Sequence, residues 1–444
     1  MNKLIAIVII ALAGNSWAQE SFSLADAKAY ALENNLTISN AMNDVENTRQ
    51  RYIEIRGMGL PQVDITGSFN NFINLPIQIV DASFINPNAA EGETISFRAG
   101  QEFSASGTLQ ASQLVFNGSY LVGLKAADYL QKFQATASDI SKEDVIFNVI
   151  QAYQLASVAK ENLVFTDSMV IITQELIDKQ ANYLELGLMK QEEMDQLNYS
   201  LLMSKDAHMS AQLQYENSIS LLKFSMGYPI NNNLEMSDRA AQLLGKSSLS
   251  SRNESVTQNL TYSLLEKQLV LSELDVKNYR YANLPSLNAF FQHTYNAYRN
   301  EFNFFANEQW FPQTVWGLQL NVPIFSGLTR KAKTSQARIR LMKSENDLAM
   351  MEETLKFQAQ QATNNLIGAT SKHKLQEENI ALALSIYEKA ITKEKIGNGN
   401  SIIVTQKYNQ LIMAQAQYTG SLIELFNAQL ALDKIYNNIL PTNK

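Results

Sequence analysis

The chain has 444 residues and a formal charge of −7, and about a sixth of its residues are Asn or Gln. At roughly 150 residues per domain, this length suggests about three domains. There is no cysteine, which excludes disulfide bonds, thiolate nucleophiles, cysteine-based zinc sites and a lipidated N-terminal cysteine. The acidic charge argues against nucleic acid as a partner, because nucleic-acid binders carry a dense basic surface.

The first 18 residues have the pattern of a secretory signal peptide. Lys3 supplies a basic start, residues 4–13 are apolar, and Ser16-Trp17-Ala18 forms a cleavage site. The alternative is a buried N-terminal helix. No later apolar run reaches 18 residues, so we expect an exported protein without a transmembrane helix. Such a protein is either soluble outside the cytoplasm or a membrane β-barrel.

Two long segments without helix breakers predict very long helices. Neither Pro nor Gly occurs between Lys125 and Leu186 or between Leu328 and Ile367. Within the first segment, apolar residues recur at coiled-coil spacing at Phe165, Met169, Ile172 and Leu176. In each half of the chain, the summed length of two shorter helices nearly equals the length of one long helix. We therefore expect the two shorter helices to stack end to end beside the long one. The predicted helices span about 24–57, 119–186, 190–226, 255–282, 328–396 and 400–439.

Repeated motifs indicate a tandem duplication. Asn35-Leu36-Thr37 recurs as Asn259-Leu260-Thr261, Phe116-Asn117-Gly118 matches Phe325-Ser326-Gly327, and Leu186-Gly187 matches Ile396-Gly397. The first copy carries an insertion of about 15 residues, which we place between Asn74 and Phe97. The predicted organisation is a signal peptide (1–18), repeat 1 (19–230, with a tip at 187), an inter-repeat linker (231–252) and repeat 2 (253–444, with a tip at 397).

Four segments alternate apolar and polar residues with period two, at about 61–74, 99–116, 284–297 and 312–325. Their length and pattern are typical of outer-membrane barrel strands. The residues predicted to face lipid are Val63, Ile65, Phe69, Leu109, Phe291, Trp316, Leu318 and Leu320. Aromatic residues near the strand ends fit an interfacial girdle: Phe72, Tyr298, Phe302, Phe304, Phe305, Trp310 and Phe311. The alternative is a soluble antiparallel sheet packed on helices.

Four strands cannot close a barrel by themselves, because the smallest membrane barrels have eight. Open strand edges in lipid would leave backbone groups unpaired, so the chain is expected to oligomerise. Two copies would give eight strands with a filled interior, and three would give twelve strands with a lumen lined by the polar faces.

The opening Ser23-Leu24-Ala25-Asp26-Ala27 to Ala31-Leu32-Glu33-Asn34-Asn35 resembles the first-helix signature of the TolC-like outer-membrane efflux proteins. The duplicated order of Leu-Pro strand starts, Phe-x-Gly strand ends and glycine tips is similar to that family over essentially the whole mature chain. The resemblance implies an α+β homotrimer in the outer membrane of a Gram-negative bacterium. Its twelve-stranded β-barrel would continue into a periplasmic α-helical coiled-coil barrel. It also implies a periplasmic adaptor (membrane fusion) protein and an inner-membrane pump of the RND or ABC type as partners.

Two sets of candidate site residues follow from that resemblance. The tip turns would contact the adaptor through Leu186, Gly187, Leu188, Ile396, Gly397 and Gly399, although the glycines alone also suit simple helix caps. The family often closes its tunnel with carboxylates six and nine residues after the second tip glycine. Here Ile403 and Gln406 stand at those positions, which predicts an apolar collar of Ile403 with Ile402 and a polar ring of Gln406. The alternative is that both isoleucines simply pack between helices.

We find no enzyme motif, and predict no catalytic residue, cofactor or metal ligand. Glu192, Glu193 and Asp195 are interpreted as a solvated face. Met189, Met194, Met203 and Met209 could suggest copper export, but methionine more often fills helix contacts. The predicted function is a passive exit duct for small molecules in a tripartite efflux or secretion system. The alternatives are a type I protein secretion duct and a periplasmic coiled-coil scaffold.

Overall fold

A computed structural model describes residues 21–85, 87–246, 255–396 and 398–440, the side chains of 245 and 246 excepted. The predicted signal peptide (1–18), Gly397 and most of the carboxyl half of the predicted linker lie outside the described residues. The helices are α1 (Leu24–Asn34), α2 (Leu36–Gly57), α3 (Gly118–Glu185), α4 (Gln191–Met226), α5 (Ala240–Lys246), α6 (Leu260–Tyr281), α7 (Thr329–Lys395) and α8 (Ser401–Ile435). The strands are β1 (Ser21–Phe22), β2 (Gln62–Asn71), β3 (Ile77–Asp81), β4 (Thr94–Arg98), β5 (Phe103–Asn117), β6 (Glu235–Met236), β7 (Ser286–Arg299) and β8 (Phe311–Asn321).

The two longest helices, α3 and α7, have 68 and 67 residues and begin and end close to the predicted positions. Four long strands accompany the long helices, which confirms the α+β fold class. No helix in the described part of the chain has the length and apolar character needed to cross a bilayer.

The predicted uninterrupted helix over 24–57 is wrong, because it breaks at Asn35. Asn35 has extended backbone angles (φ −74°, ψ 125°), and α2 starts anew at Leu36. The Asn35 side chain accepts a hydrogen bond from the backbone N–H of Thr37 at 2.8 Å and donates one to the carbonyl of Ser225 at 2.9 Å. The first bond pairs a backbone N–H at the start of α2 that has no partner within the helix, and the second ties this start to the end of α4.

The first compact unit consists of the described residues within Met1–Glu46, Phe133–Glu266 and Asn346–Lys444, so it draws on both halves of the chain. In one of its cores, β1 pairs with β6 in parallel, and the buried Tyr153 hydroxyl donates to the carbonyl of Phe22 at 2.8 Å. A second core lies near the tip turns. It contains all four residues of the predicted coiled-coil stripe, packed with Leu197, Tyr387, Tyr408 and Leu411 among others.

Polar side chains also lie inside the contact between α4 and α8. The Ser204 hydroxyl donates to the Tyr408 hydroxyl at 2.8 Å, and Ser200 and Thr405 share a hydrogen bond of 2.9 Å. Because these hydroxyls are paired, the small residues let the helices approach without leaving buried groups unsatisfied.

The second compact unit comprises Asn47–Lys132 and Lys267–Glu345. It contains an antiparallel sheet of four strands in the order β2-β5-β7-β8, so β2 and β8 are its edges. The central pair, β5 and β7, joins the two repeats. The short hairpin of β3 and β4 lies between β2 and β5, within the segment where we place the insertion.

Candidate functional site

The register of the sheet brings its apolar residues onto one face. Val63 pairs with Ala111, Ala111 with Phe291, and Phe291 with Trp316. Paired residues of an antiparallel sheet point to the same side, and residues two apart along a strand join them. All eight predicted lipid-facing residues therefore share this face. They are 38% to 80% exposed, so in the single chain they form an exposed, largely apolar surface.

Two polar residues on this face satisfy each other. His293 pairs with Thr314 across β7 and β8, and the His293 Nδ1 lies 2.7 Å from the Thr314 hydroxyl oxygen. This hydrogen bond removes most of the cost of placing the two side chains among apolar neighbours.

The opposite face is polar. Thr108 and Thr294 share a hydrogen bond of 3.0 Å, and Ser68 and Ser106 share one of 2.8 Å. Phe290 interrupts the polar pattern, and the structure supplies the reason. Its ring covers Gly317 on the neighbouring strand, where an added Cβ would lie 2.9 Å from the ring. The aromatic ring thus occupies the space that the glycine leaves.

Aromatic residues cluster beyond the ends of β7 and β2. The centre of the Phe69 ring lies 5.7 Å from that of Phe302 and 5.5 Å from that of Phe304. Both contacts are edge to face, and Phe302 also contacts Phe305. The adjoining loop is held by Arg299, which donates to the carbonyl of Gln309 at 2.9 Å. This clustering places several of the predicted girdle residues together.

The first tip turn is a compact helix end. Gly187 has φ +70°, and the N–H of Leu188 donates to the carbonyl of Tyr183 at 2.9 Å. This six-residue bond ends α3 in the manner of a Schellman motif, which requires a left-handed residue and favours glycine. Leu186 and Leu188 are exposed on either side of the glycine. The turn therefore presents two apolar side chains to its surroundings.

The second tip turn is held by Glu394. A Cβ at Gly399 would lie 2.5 Å from the backbone nitrogen of Glu394, so only glycine fits there. The Ser401 hydroxyl donates to the buried Glu394 carboxylate at 2.8 Å, and Gln180 donates to the Glu394 carbonyl at 3.2 Å. Asn400 caps α8 by accepting from the N–H of Ile402 at 2.7 Å. Ile396 is exposed beside this turn, and Gly397 lies outside the described residues.

Burial raises the pKa of Glu394 above its usual value. The hydrogen bond from Ser401 lowers the pKa in part, and the negative charge of Glu193 raises it further. The turn therefore holds a carboxylate whose charged form is disfavoured.

The predicted gate residues lie on the exposed side of the first turns of α8. Ile402 and Ile403 are 46% and 49% exposed, and Gln406 is also exposed. The intervening Val404 and Thr405 are buried instead. Within a single chain, the three predicted residues thus share a free surface rather than packing between its helices.

The acidic and methionine residues noted in the sequence do not form one site. Glu193 accepts from the backbone N–H of Lys190 at 3.3 Å as a helix cap, and Glu192 and Asp195 are exposed. Met194 is buried, whereas Met203 and Met209 are exposed further along α4. The acidic positions agree with a solvated face, whereas helix packing accounts for Met194 but not for the exposed Met203 and Met209.

The sequence interpretation missed the role of the repeated Asn-Leu-Thr motif. In repeat 2, Asn259 accepts from the N–H of Thr261 at 2.9 Å and donates to the carbonyl of Ile435 at 3.1 Å. This is the arrangement that Asn35 makes with Thr37 and Ser225 in repeat 1. The motif therefore joins the start of one helix to the end of another in each repeat. The recurrence of the motif in both repeats is the sequence feature that indicates a shared structural role.

Solved structures with the same architecture cover nearly the whole chain. The CmeC outer membrane channel of Campylobacter jejuni superposes with a TM-score of 0.73 at 16% identity, over 95% of this chain and 87% of CmeC. CusC, described in terms of transmembrane channel formation, superposes with a TM-score of 0.72 at 16% identity, over 94% of this chain and 91% of CusC. The Neisseria gonorrhoeae MtrE outer membrane channel, in its open state, superposes with a TM-score of 0.69 at 13% identity, over 93% of this chain and 88% of MtrE.

No protein-family model matches the sequence, and no curated protein matches it either. The structural similarity defines the class at the level of fold. The chain has the fold of the outer-membrane channel proteins, as the resemblance to the TolC-like proteins predicted.

Proposed function

We propose that this chain is an outer-membrane exit duct that extends into the periplasm of a Gram-negative bacterium and carries out no catalysis. The observation that carries the proposal is the exposed apolar face of the four-stranded sheet, together with the channel fold. An exposed apolar surface of this extent is stable only when lipid or protein covers it. Outer-membrane lipid is the covering that suits period-two strands of 10 to 15 residues.

The two free strand edges require further copies of the chain. β2 and β8 each have one unpaired side in the sheet, and lipid offers no hydrogen-bond partner to a strand edge. Pairing β8 of one copy with β2 of the next in a ring of three gives twelve strands and a polar lumen. The homotrimer is thus the arrangement we propose, with α3, α4, α7 and α8 forming the tunnel wall.

The tips and the first turns of α8 are proposed to act in docking and gating. Leu186, Leu188 and Ile396 would contact a periplasmic adaptor, which links the duct to an inner-membrane pump of the RND or ABC type. Ile402, Ile403 and Gln406 would line the narrow end of the tunnel. Small molecules are the proposed cargo. Secretion of polypeptides is the alternative within the same architecture.

Outer-membrane fractions test the duct directly. We expect the chain to be recovered there as an oligomer of three that survives in detergent and dissociates on heating, and to form a conducting pore in planar bilayers. A water-soluble monomer or dimer would instead support the periplasmic scaffold. Replacing Gly187 with a bulky residue is expected to abolish export but leave the trimers intact, and normal export would remove the docking role.

A further inference from the structure

The two repeats carry equivalent pockets, and among the described residues only the repeat 2 pocket is lined by a residue of the other repeat. The first pocket, of about 530 Å³, lies in repeat 2 and is lined by Asn259, Leu355, Gln361 and Lys434 among others. The second, of about 600 Å³, lies in repeat 1 and is lined by Asn35, Val145, Gln151 and Phe224 among others. Val145, Gln151 and Phe224 of the second pocket correspond to Leu355, Gln361 and Lys434 of the first, which lie 210 residues further along the chain. Asn35 and Asn259 are the two copies of the capping asparagine described above.

In the repeat 2 pocket, an aromatic side chain from the other repeat forms part of the lining. Phe147 of α3 lines this pocket, and the Lys434 ammonium group lies 5.0 Å from the centre of its ring. Lys434 also forms a salt bridge of 2.7 Å with Asp144. One turn further along α3, the Gln151 amide donates to the Asn427 side chain at 3.1 Å. Contact between the two repeats thus includes an aromatic group, a charge pair and an amide pair.

The same contact residues are present on the other side of each repeat, where the described part of the chain leaves them exposed. Residue 357, the counterpart of Phe147, is also phenylalanine and is 68% exposed on α7. Phe224, the counterpart of Lys434, is 74% exposed at the repeat 1 pocket. Gln361 and Asn217 are the counterparts of Gln151 and Asn427, and both are exposed.

The substitutions between the two sides are mutually consistent. The cation Lys434 is replaced by Phe224, and its anion Asp144 is replaced by Thr354, so both charges are lost together. The amide pair is retained unchanged as Asn217 and Gln361. An aromatic pair in place of a cation and a ring keeps the contact favourable without leaving a charge unpaired.

We infer that Phe357 of one copy enters the pocket beside Phe224 of the next copy, and that Gln361 pairs with Asn217 across the same interface. The occupant is a second copy of this chain, because its exposed α7 carries the counterparts of Phe147 and Gln151, the aromatic and amide residues through which α3 contacts repeat 2 within the chain. The two surfaces are different, so each copy offers one to each neighbour, and the contacts close into a ring. This inference rests on the proposed homotrimer and names the residues that would hold it together.

The absence of cysteine makes a cross-linking test clean. A Phe224→Cys, Phe357→Cys variant, treated in membranes with a short bis-maleimide reagent, is expected to yield covalent species of two and three chains. The positive control is Phe147→Cys, Lys434→Cys, which should cross-link within one chain. The distance control is Phe224→Cys, Leu382→Cys. Leu382 is similarly exposed on α7 but lies about 37 Å further along it, so no covalent multimers should form.

The outcomes separate this inference from the proposed function. Trimers that survive in detergent, with no cross-link at 224 and 357, would overturn the interface but leave the duct intact. The loss of all oligomers in the unmodified chain would overturn both. As a second measurement, Phe224→Glu is expected to abolish the detergent-stable trimer, and adding Phe357→Lys is expected to restore it. Failure of that restoration, while each single variant keeps its helical circular dichroism, would also contradict the pairing.

Discussion

Phe291 and Trp316 face each other across β7 and β8, in the middle of the exposed apolar face of the sheet. Two large aromatic groups side by side at a strand pair stabilise the register, but here both remain accessible in the single chain. Their position fits a surface that the membrane covers.

A cation on this face should prevent insertion, whereas a cation on the neighbouring polar face should not. Leu318→Lys places an ammonium group among the predicted lipid-facing residues, at a cost of roughly 2–4 kcal/mol near mid-membrane. Gln319→Lys changes the next residue, which points to the other side. We expect the outer-membrane trimer to be lost or strongly reduced for the first variant and retained for the second. Equal recovery of both would contradict the assignment of the faces.

Gly399 should tolerate no side chain. Gly399→Ala forces a Cβ against the Glu394 backbone, and we expect a loss of about 1–3 kcal/mol in the stability of the tip. The control is Gly368→Ala in the middle of α7, where a Cβ meets no atom within 4 Å. That change should be neutral or stabilise by up to about 1 kcal/mol, because alanine favours helix. Thermal unfolding followed by circular dichroism compares the two, and similar midpoints would refute the steric argument.

Glu143 should make stability fall as the pH rises. Burial raises the pKa of this carboxyl to about 7, and nearby Lys434 only partly opposes the effect. The folded chain therefore keeps a proton that the unfolded chain releases near pH 4.5, so this stabilisation is present at pH 4.5 and lost as the pH passes 7. Glu143→Gln is expected to be more stable than the unmodified chain by about 2 kcal/mol at pH 8, and similar to it at pH 4.5.

The matched control for Glu143 is Glu353, its exposed counterpart in repeat 2. Glu353→Gln should change stability by no more than about 0.5 kcal/mol at either pH. Denaturation midpoints at pH 4.5 and 8 measure both variants. A Glu143→Gln variant whose advantage does not depend on pH would show that the carboxyl is not the titrating group.

The collar at the start of α8 should control conductance. Ile403→Asp introduces a ring of carboxylates in the proposed trimer, which is expected to raise cation conductance and to create block by divalent cations. Ile403→Val preserves the apolar surface and serves as the control. Single-channel recording in planar bilayers distinguishes the variants. Unchanged conductance and unchanged divalent block in the aspartate variant would remove the gate.

Local pattern in the sequence was enough to find the long helices, the four strands and the apolar face. Helix and strand periodicity is set by the geometry of a few neighbouring residues, so breaker-free runs and strict alternation show it directly. The stripe of Phe165, Met169, Ile172 and Leu176 follows from the same periodicity. All four residues belong to one core, in which Met169 and Leu176 are buried.

Contacts between distant residues were not visible in that way. The break at Asn35 depends on the carbonyl of Ser225, and the place of Phe290 on the polar face depends on Gly317 one strand away. The sequence determined the repeated unit and the character of each face. Only the tertiary structure decided that Phe147 lines the repeat 2 pocket while no described residue of repeat 2 lines its counterpart beside Phe224. Register and packing between distant segments fix which surfaces remain uncovered.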